Sequence, residues 1–322
     1  MDLKIDTYKN APVKHSIVML TYNQESLIRK ALDSILSQDV LPYEILIGDD
    51  ASTDNTYKII EEFKVLYPTI VKPFRQDSNL GVFPHLNFIM GKINGDVVSL
   101  LAGDDAYKPG LLYELNKMVI DNKVDLADDF VLVTNASSID TLGNEVVFDN
   151  FKFQHKDPFK QRLRYSLSYR SVGISASLIR KAGPILVDVG YHADWLWSLK
   201  IDHLSNKHFY TSFVSSEYYT GIGVVSQTKR NLLANSMFKV LELIKEEFFG
   251  ELDKEDLSYL KLVFYHEKYQ IEPSFYNYIN YLRLFMFNIS NLGGNNYMMN
   301  YKNLIPKQVL SKLVIIKSLI KK

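Results

Sequence analysis

The chain contains no cysteine. That excludes a disulfide framework, a thiolate zinc site and a cysteine nucleophile, and it suits a reducing cytosol. Neither sign of charge is in excess, since Lys plus Arg and Asp plus Glu both number 37. A global basic field for nucleic acid is thereby excluded. No apolar run reaches the roughly 18 residues of a membrane-spanning helix. Residues Met1 to Lys14 are polar and lack the apolar stretch of a secretory signal. A Gly-rich phosphate loop is also missing. After the first strand-like run stands Thr21-Tyr22-Asn23-Gln24-Glu25, which argues against a Rossmann dehydrogenase or a nucleotidyltransferase. What remains is 322 residues, 47% hydrophobic, enough for one large domain and a smaller appendage, or for two domains.

Two pairs of acids organise the chain. Asp49-Asp50 follows the short β-branched run Ile45-Leu46-Ile47-Gly48, and Asp104-Asp105 follows Val97-Val98-Ser99-Leu100-Leu101. Both runs read as buried strands. In open α/β sheets, ligands sit beyond the carboxyl ends of strands. The same device used twice points to one ligand, with a cation between carboxylates and phosphates.

Around these pairs, strand and helix patterns alternate. Strands are expected at His15–Leu20, Tyr43–Gly48, Val71–Arg75, Asp96–Leu101 and Phe130–Thr134. Helices are expected at Glu25–Gln38, capped by Asn23 or Ser26, and at Thr56–Tyr67, capped by Ser52 or Asp54. Two more are expected at Phe83–Ile93, closed by Gly95, and at Gly110–Asn122. The order predicts an α/β fold with a mostly parallel sheet covered by helices. Residues 140 to 170 give no firm signal. A short helix is expected at Ser175–Lys181, another from Tyr191 to His203, and strands at Phe209–Val214 and Glu217–Thr220. From Leu232 onward the pattern becomes helical and aromatic. The last segment, Tyr301 to Lys322, carries six lysines, no acid and a broad apolar face. It reads either as a terminal helix packed on its own domain or as an interfacial helix on an anionic membrane.

Taken in order, four pieces resemble family 2 glycosyltransferases of the GT-A fold. They are Ser16-Ile17-Val18-Met19-Leu20-Thr21-Tyr22-Asn23, then Asp49 through Thr56, then Asn79-Leu80-Gly81 with Asn87 and Gly95-Asp96, and finally Asp104-Asp105 with Asp194. The resemblance covers about residues 15 to 230 and stops there. It implies an inverting, non-processive transfer of a sugar from a nucleotide-diphosphate donor, with UDP the usual nucleotide, to an acceptor hydroxyl. The expected domains are residues 1–230 for nucleotide binding and catalysis, and 231–322 for a helical part that meets acceptor, membrane surface or a second subunit.

Carried over residue by residue, the resemblance places Thr21, Tyr22, Asn23, Asp49, Asp50, Asn79 and Asp104 at the nucleotide. Either Asp49 or Asp50 meets the base or ribose. It implies Mn²⁺ or Mg²⁺ on Asp105, since hard cations prefer carboxylate oxygen, and Asp194 as the base. His192, Trp195, Lys229 and Arg230 are further candidates for phosphate or acceptor contacts. Three departures stand out. Ala102 lies where relatives often carry another Asp, Ala193 replaces the first acid of a Glu-Asp pair, and Asn231 replaces the Trp that follows Gln-x-x-Arg in processive synthases. The implied setting is cytoplasmic assembly of a bacterial surface polysaccharide, such as lipopolysaccharide or capsule, on a glycan or lipid-linked acceptor. Ala102 and Ala193 sustain one alternative, a catalytically decayed nucleotide- or sugar-binding module on the same fold.

Overall fold

The computed structural model describes residues 9–165, 172–205, 207–221 and 228–291. Among these, residues up to Arg162 and from 172 to Thr228 form one compact unit. Leu163–Tyr165 and the residues from Lys229 onward form a second.

The first unit is built on a mixed sheet. Its opening half repeats one motif: β1 (His15–Thr21), α1 (Ile28–Leu36), β2 (Glu44–Asp49), α2 (Thr56–Leu66), β3 (Val71–Arg75), α3 (Val82–Met90) and β4 (Val97–Ala102). β1 and β2 are covered on both faces, which is why they read as continuous apolar runs rather than alternating ones. α1 buries Ile28, Ala31, Leu32, Ile35 and Leu36 along one stripe. Ile17, Met19, Ile45 and Ile47 meet that stripe in a single core. Each such side chain contributes about 1.5–3 kcal/mol when fully buried.

Strand order is β3-β2-β1-β4, all parallel. Beyond β4 the sheet turns antiparallel through β8 (Val172–Ser175) to β6 (Phe130–Ile139). β9 (Lys207–Tyr219) runs parallel to β6, and β5 (Ala106–Tyr107) closes the edge antiparallel to β9. The parallel character expected from the sequence therefore holds for β1 to β4. The remaining helices of this unit are α4 (Leu111–Asp121), α5 (Pro158–Tyr165, which ends in the second unit), α6 (Ala176–Ala182) and α7 (Ala193–Leu204).

Several boundaries differ from the sequence pattern for physical reasons. α3 ends at Gly91, not Gly95. A Cβ on Gly95 would lie 2.5 Å from the Lys14 carbonyl oxygen, so this glycine serves the close approach to β1. β9 is one strand rather than two. Ser215 interrupts the apolar pattern, yet its Oγ bonds the Thr134 hydroxyl (2.6 Å) and donates to the Asn135 carbonyl (3.2 Å) inside the sheet. The unassigned stretch forms a hairpin through β7 (Glu145–Phe148), which pairs with β6. At its turn, Asp140 accepts the N–H groups of Leu142 and Asn144, both at 2.9 Å, and Gly143 takes φ +82.

The second unit holds α8 (Arg230–Glu247), α9 (Lys254–Ile271) and α10 (Phe275–Asn291). Asp253 and Asp256 form a reciprocal capping box at the start of α9. The Arg164 guanidinium reaches Asp256 Oδ1 through Nε (3.0 Å) and Nη2 (2.9 Å). Among the described residues, no helix is long and apolar enough to cross a membrane. The lysine-rich segment 301–322 and Gln227 lie outside the described residues.

Candidate active site

Register assembles the site. Thr21 at the end of β1 pairs with Asp49, Asp49 with Arg75, and Leu20 with Ala102. The carboxyl ends of four neighbouring strands thus finish in one row, and Gly103-Asp104-Asp105 continues just past it.

The loops after β1 and β2 are laced together. The Asn23 N–H donates to Ser52 Oγ (2.9 Å), and Asn23 Oδ1 accepts the Thr53 N–H (2.8 Å). The Gln24 N–H donates to Thr56 Oγ1 (2.7 Å), and the Asn55 N–H to Glu25 Oε2 (2.9 Å). Asp54 accepts the Thr56 N–H (2.9 Å) and the Glu25 N–H (3.1 Å). Burial pushes the Asp54 carboxyl up, but these bonds outweigh it and hold it below its ordinary value. Asp54 thus covers the first N–H of α2, while the other expected caps, Asn23, Ser26 and Ser52, are corrected. Leu27 and Asn55 occupy the cap positions of α1 and α2, neither with a side-chain cap bond, because Asn23 and Ser52 are committed to the lacing. The lacing also holds two non-glycine residues in the left-handed region, Asn23 (φ 51) and Ala51 (φ 62). Such a backbone costs about 1–2 kcal/mol for an L-residue.

The first acid pair is deeply set, with Asp49 0% and Asp50 5% exposed. Asp49 Oδ2 accepts the Ser52 N–H (3.1 Å) and lies 3.4 Å from Arg75 Nε, while its Oδ1 is buried without a hydrogen bond. Asp50 is held on every side. Its N–H donates to the Thr21 carbonyl (3.0 Å), Oδ1 accepts the Leu80 N–H (2.8 Å) and Oδ2 the Gly81 N–H (2.9 Å). The Asn79 side chain closes the ring by donating to the Asp50 carbonyl (3.3 Å). Tyr22 is exposed beside this cluster, whereas Thr21 is buried, its hydroxyl donating to Gln24 Oε1 (2.8 Å).

The second pair is joined to the same floor. The Gly103 N–H donates to the Leu20 carbonyl (2.8 Å). A Cβ on Gly103 would meet Gln24 Oε1 at 2.4 Å and Thr21 Oγ1 at 2.9 Å, so a larger residue would displace the Gln24 side chain. Asp105 is buried and accepts the Tyr219 N–H at 3.1 Å. Asp104 is half-buried, and its carboxylate has no hydrogen bond to a described residue. β5 intervenes before α4, so neither acid caps that helix. Among the described residues, no three His, Asp or Glu side chains gather as a metal cluster. A hard ion such as Mg²⁺ is commonly held by one or two carboxylates plus the substrate's phosphates rather than by an all-protein cage. The donor set of Asp104 and Asp105 fits that arrangement.

Asp194 opens α7, exposed, with Oδ1 accepting the Trp195 N–H at 3.0 Å. His192 occupies the cap position, half-buried. Trp195 and Trp197 both lie in the core, their indole N–H groups donating to the carbonyls of Arg162 (3.1 Å) and Gly183 (2.9 Å). A Trp195 face is therefore not on offer to a sugar. α7 is anchored further by a buried ion pair, Arg162 Nε to Asp202 Oδ2 (2.8 Å), with His208 on the other carboxylate oxygen. The Asp202 carboxyl is pushed up by burial and pulled down further by Arg162 and His208, for a net lowering. The segment before α7 is tied to α3: Asn87 donates to the Ile185 carbonyl and accepts its N–H, both at 2.8 Å. Lys229 and Arg230 belong to the second unit, where Arg230 bonds Glu267 (2.6 Å).

Sequence reasoning missed Gln24, Arg75, His85 and Tyr219. Gln24 stood in view beside Asn23. The others come from elements whose register alone brings them here.

Glycosyl transferase family 2 matches residues 16–178, half of the chain. The chain belongs to that family. An uncharacterised Mycobacterium bovis protein is 39% identical over 105 residues, covering 32% of this chain and 30% of its own length. The dTDP-rhamnosyl transferase RfbG of Shigella flexneri is 49% identical over 53 residues, covering 16% of this chain and 18% of its own. The chain thus matches no more than about a third of these relatives' length. Among solved structures, Staphylococcus aureus TarS 1–349 in complex with UDP-GlcNAc superposes with a TM-score of 0.62 at 18% identity, covering 84% of this chain and 79% of that one. That likeness shows the GT-A-like α/β fold.

Proposed function

We propose that the chain is a metal-assisted, inverting glycosyltransferase that moves a sugar from a nucleoside-diphosphate donor to an acceptor hydroxyl. The observation that carries this reading is the row of strand ends, with one acid pair at the end of β2 and the other just beyond β4, on the two strands that flank β1. Thr21, Tyr22, Asn23, Asn79 and the Asp49–Asp50 pair receive the nucleoside. Asp105 and Asp104 hold Mn²⁺ or Mg²⁺, which when bound neutralises charge on the leaving diphosphate. Asp194 takes the proton from the acceptor hydroxyl, a role worth about 10²–10⁴ in rate. His192, Lys229 and Arg230 remain candidates for acceptor or phosphate contact.

UDP is the favoured nucleotide, supported by the TarS complex, with dTDP the runner-up through RfbG. The role in bacterial surface polysaccharide, the glycan or lipid-linked acceptor and the cytoplasmic setting are parts of the same proposal. So are the division of labour near residue 230 and any membrane or subunit contact of the helical part. A second reading, a decayed binding module, is favoured by Ala102 and Ala193 and predicts nucleotide binding without transfer or donor hydrolysis.

Thermal stability against UDP, GDP and dTDP, with Mn²⁺ or with chelator, tests the proposal. A ligand at 100 times its dissociation constant stabilises the native state by about 2.7 kcal/mol. A metal-dependent rise with one diphosphate supports the reading, and the absence of any shift overturns it.

A further inference from the structure

His85 sits on α3, 1% exposed, directly behind the first acid pair. Its Nδ1 lies 3.5 Å from Asp50 Oδ1, and its Nε2 is buried without a hydrogen bond. Burial pushes the imidazole pKa down, against the raising influence of Asp50 and Asp49. The ring is therefore neutral near pH 7. With its proton on Nδ1 it donates toward Asp50 and leaves only a bare lone pair at Nε2, which costs less than a buried, unmatched N–H.

The sheet makes room for this ring at some expense. A Cβ on Gly48 would lie 2.6 Å from His85 Nε2, 2.7 Å from its Cε1 and 2.9 Å from Ile89 Cγ1. Gly48 is in the interior of β2, where glycine weakens a strand by about 0.5–1 kcal/mol relative to alanine. A glycine in such a strand commonly marks close approach by another group. Here that group is an imidazole aimed at a carboxylate. The same carboxylate holds the N–H groups of Leu80 and Gly81, which lead into α3 itself. Asp50, the 79–81 loop and His85 thus form a closed loop of contacts.

We propose that His85 is a positioning residue for the donor site, fixing the Asp50 carboxylate and the Asn79–Gly81 loop from behind, in a notch that Gly48 leaves open. The proposal rests on the reading of the first acid pair as nucleoside-binding. It assigns part of nucleotide affinity to a side chain that no ligand touches.

The test is calorimetric titration of UDP with Mn²⁺ present, or of whichever diphosphate the stability panel selects, beside a melting curve for each variant. His85→Leu fills the space without a donor, and His85→Asn keeps an amide near the place of Nδ1. The expected result is about tenfold weaker binding for His85→Leu, through loss of the imidazole contact behind Asp50. His85→Asn should recover most of that loss. Gly48→Ala, which displaces the ring, should reproduce it. Variants that melt lower yet bind the diphosphate as the wild type does would overturn the proposal and leave His85 as core packing. If His85→Leu does not fold, His85→Asn and Gly48→Ala still decide, since unchanged affinity in both overturns it. A wild-type chain that binds no diphosphate overturns the functional reading and this inference with it, a result distinct from unchanged affinity in the variants.

Discussion

The two acid pairs look alike in sequence and differ in what the fold does with them. Asp49 and Asp50 are sunk into the sheet's end, and three of their four carboxylate oxygens are engaged by Ser52, Leu80, Gly81 and Arg75. Asp104 and Asp105 divide the work. Asp105 is buried and takes a backbone N–H from β9, while Asp104 stands half-open with no hydrogen bond to a described residue. The difference teaches that two acid pairs at one site can differ in how firmly the fold holds them. The first pair is built into the wall, and in the second Asp104 presents charge.

Five changes break or sharpen that contrast. The largest effect should come from outside both pairs. Asp194→Asn should lower transfer by about 10²–10⁴ while leaving UDP affinity intact, and near-normal transfer would remove Asp194 from the base role. Next, Asp105→Ala should cost about 10² or more in rate and flatten the response to added Mn²⁺. Asp104→Asn, with no partner lost among the described residues, should change stability by no more than about 0.5 kcal/mol while raising the metal concentration needed for half-maximal rate. A smaller effect, read by denaturant unfolding, belongs to Asp50→Asn. An amide opposes the N–H of Leu80 or Gly81, so the protein should lose about 1–3 kcal/mol. If Asp50→Asn proved as mild as Asp104→Asn, the contrast between wall and charge would fail. Last, Ala51→Gly should raise stability by about 1 kcal/mol by relieving the left-handed backbone, with activity unchanged or slightly reduced.

How far the sequence foretold this depends on the range of the forces involved. β1, β2 and β4 were legible because strands buried on both faces carry continuous apolar runs, and the less buried Val71–Arg75 also lay where expected. The acid pairs were legible because charge at the end of such a run is costly without a purpose. His85 was not. A lone histidine in the Val82–Met90 helix has no local signature, and its meaning comes from Gly48, 37 positions earlier. The Asn23 and Ser52 side chains read as helix caps by local rules, yet long-range lacing claimed them. β9 was split by its serines because the pattern cannot show that the Ser215 hydroxyl accepts from Thr134 and donates to the Asn135 carbonyl.

The lacing of the loops after β1 and β2 has a consequence for redesign. Asn23, Gln24 and Glu25 bond Ser52 through Thr56 residue by residue, so neither loop is a removable cassette. A transplant that exchanged one loop for that of a relative with another nucleotide preference would arrive with its fasteners facing nothing. Grafting both together, with the Gly103 turn that seats against Gln24, is the smallest exchange that keeps the seam closed.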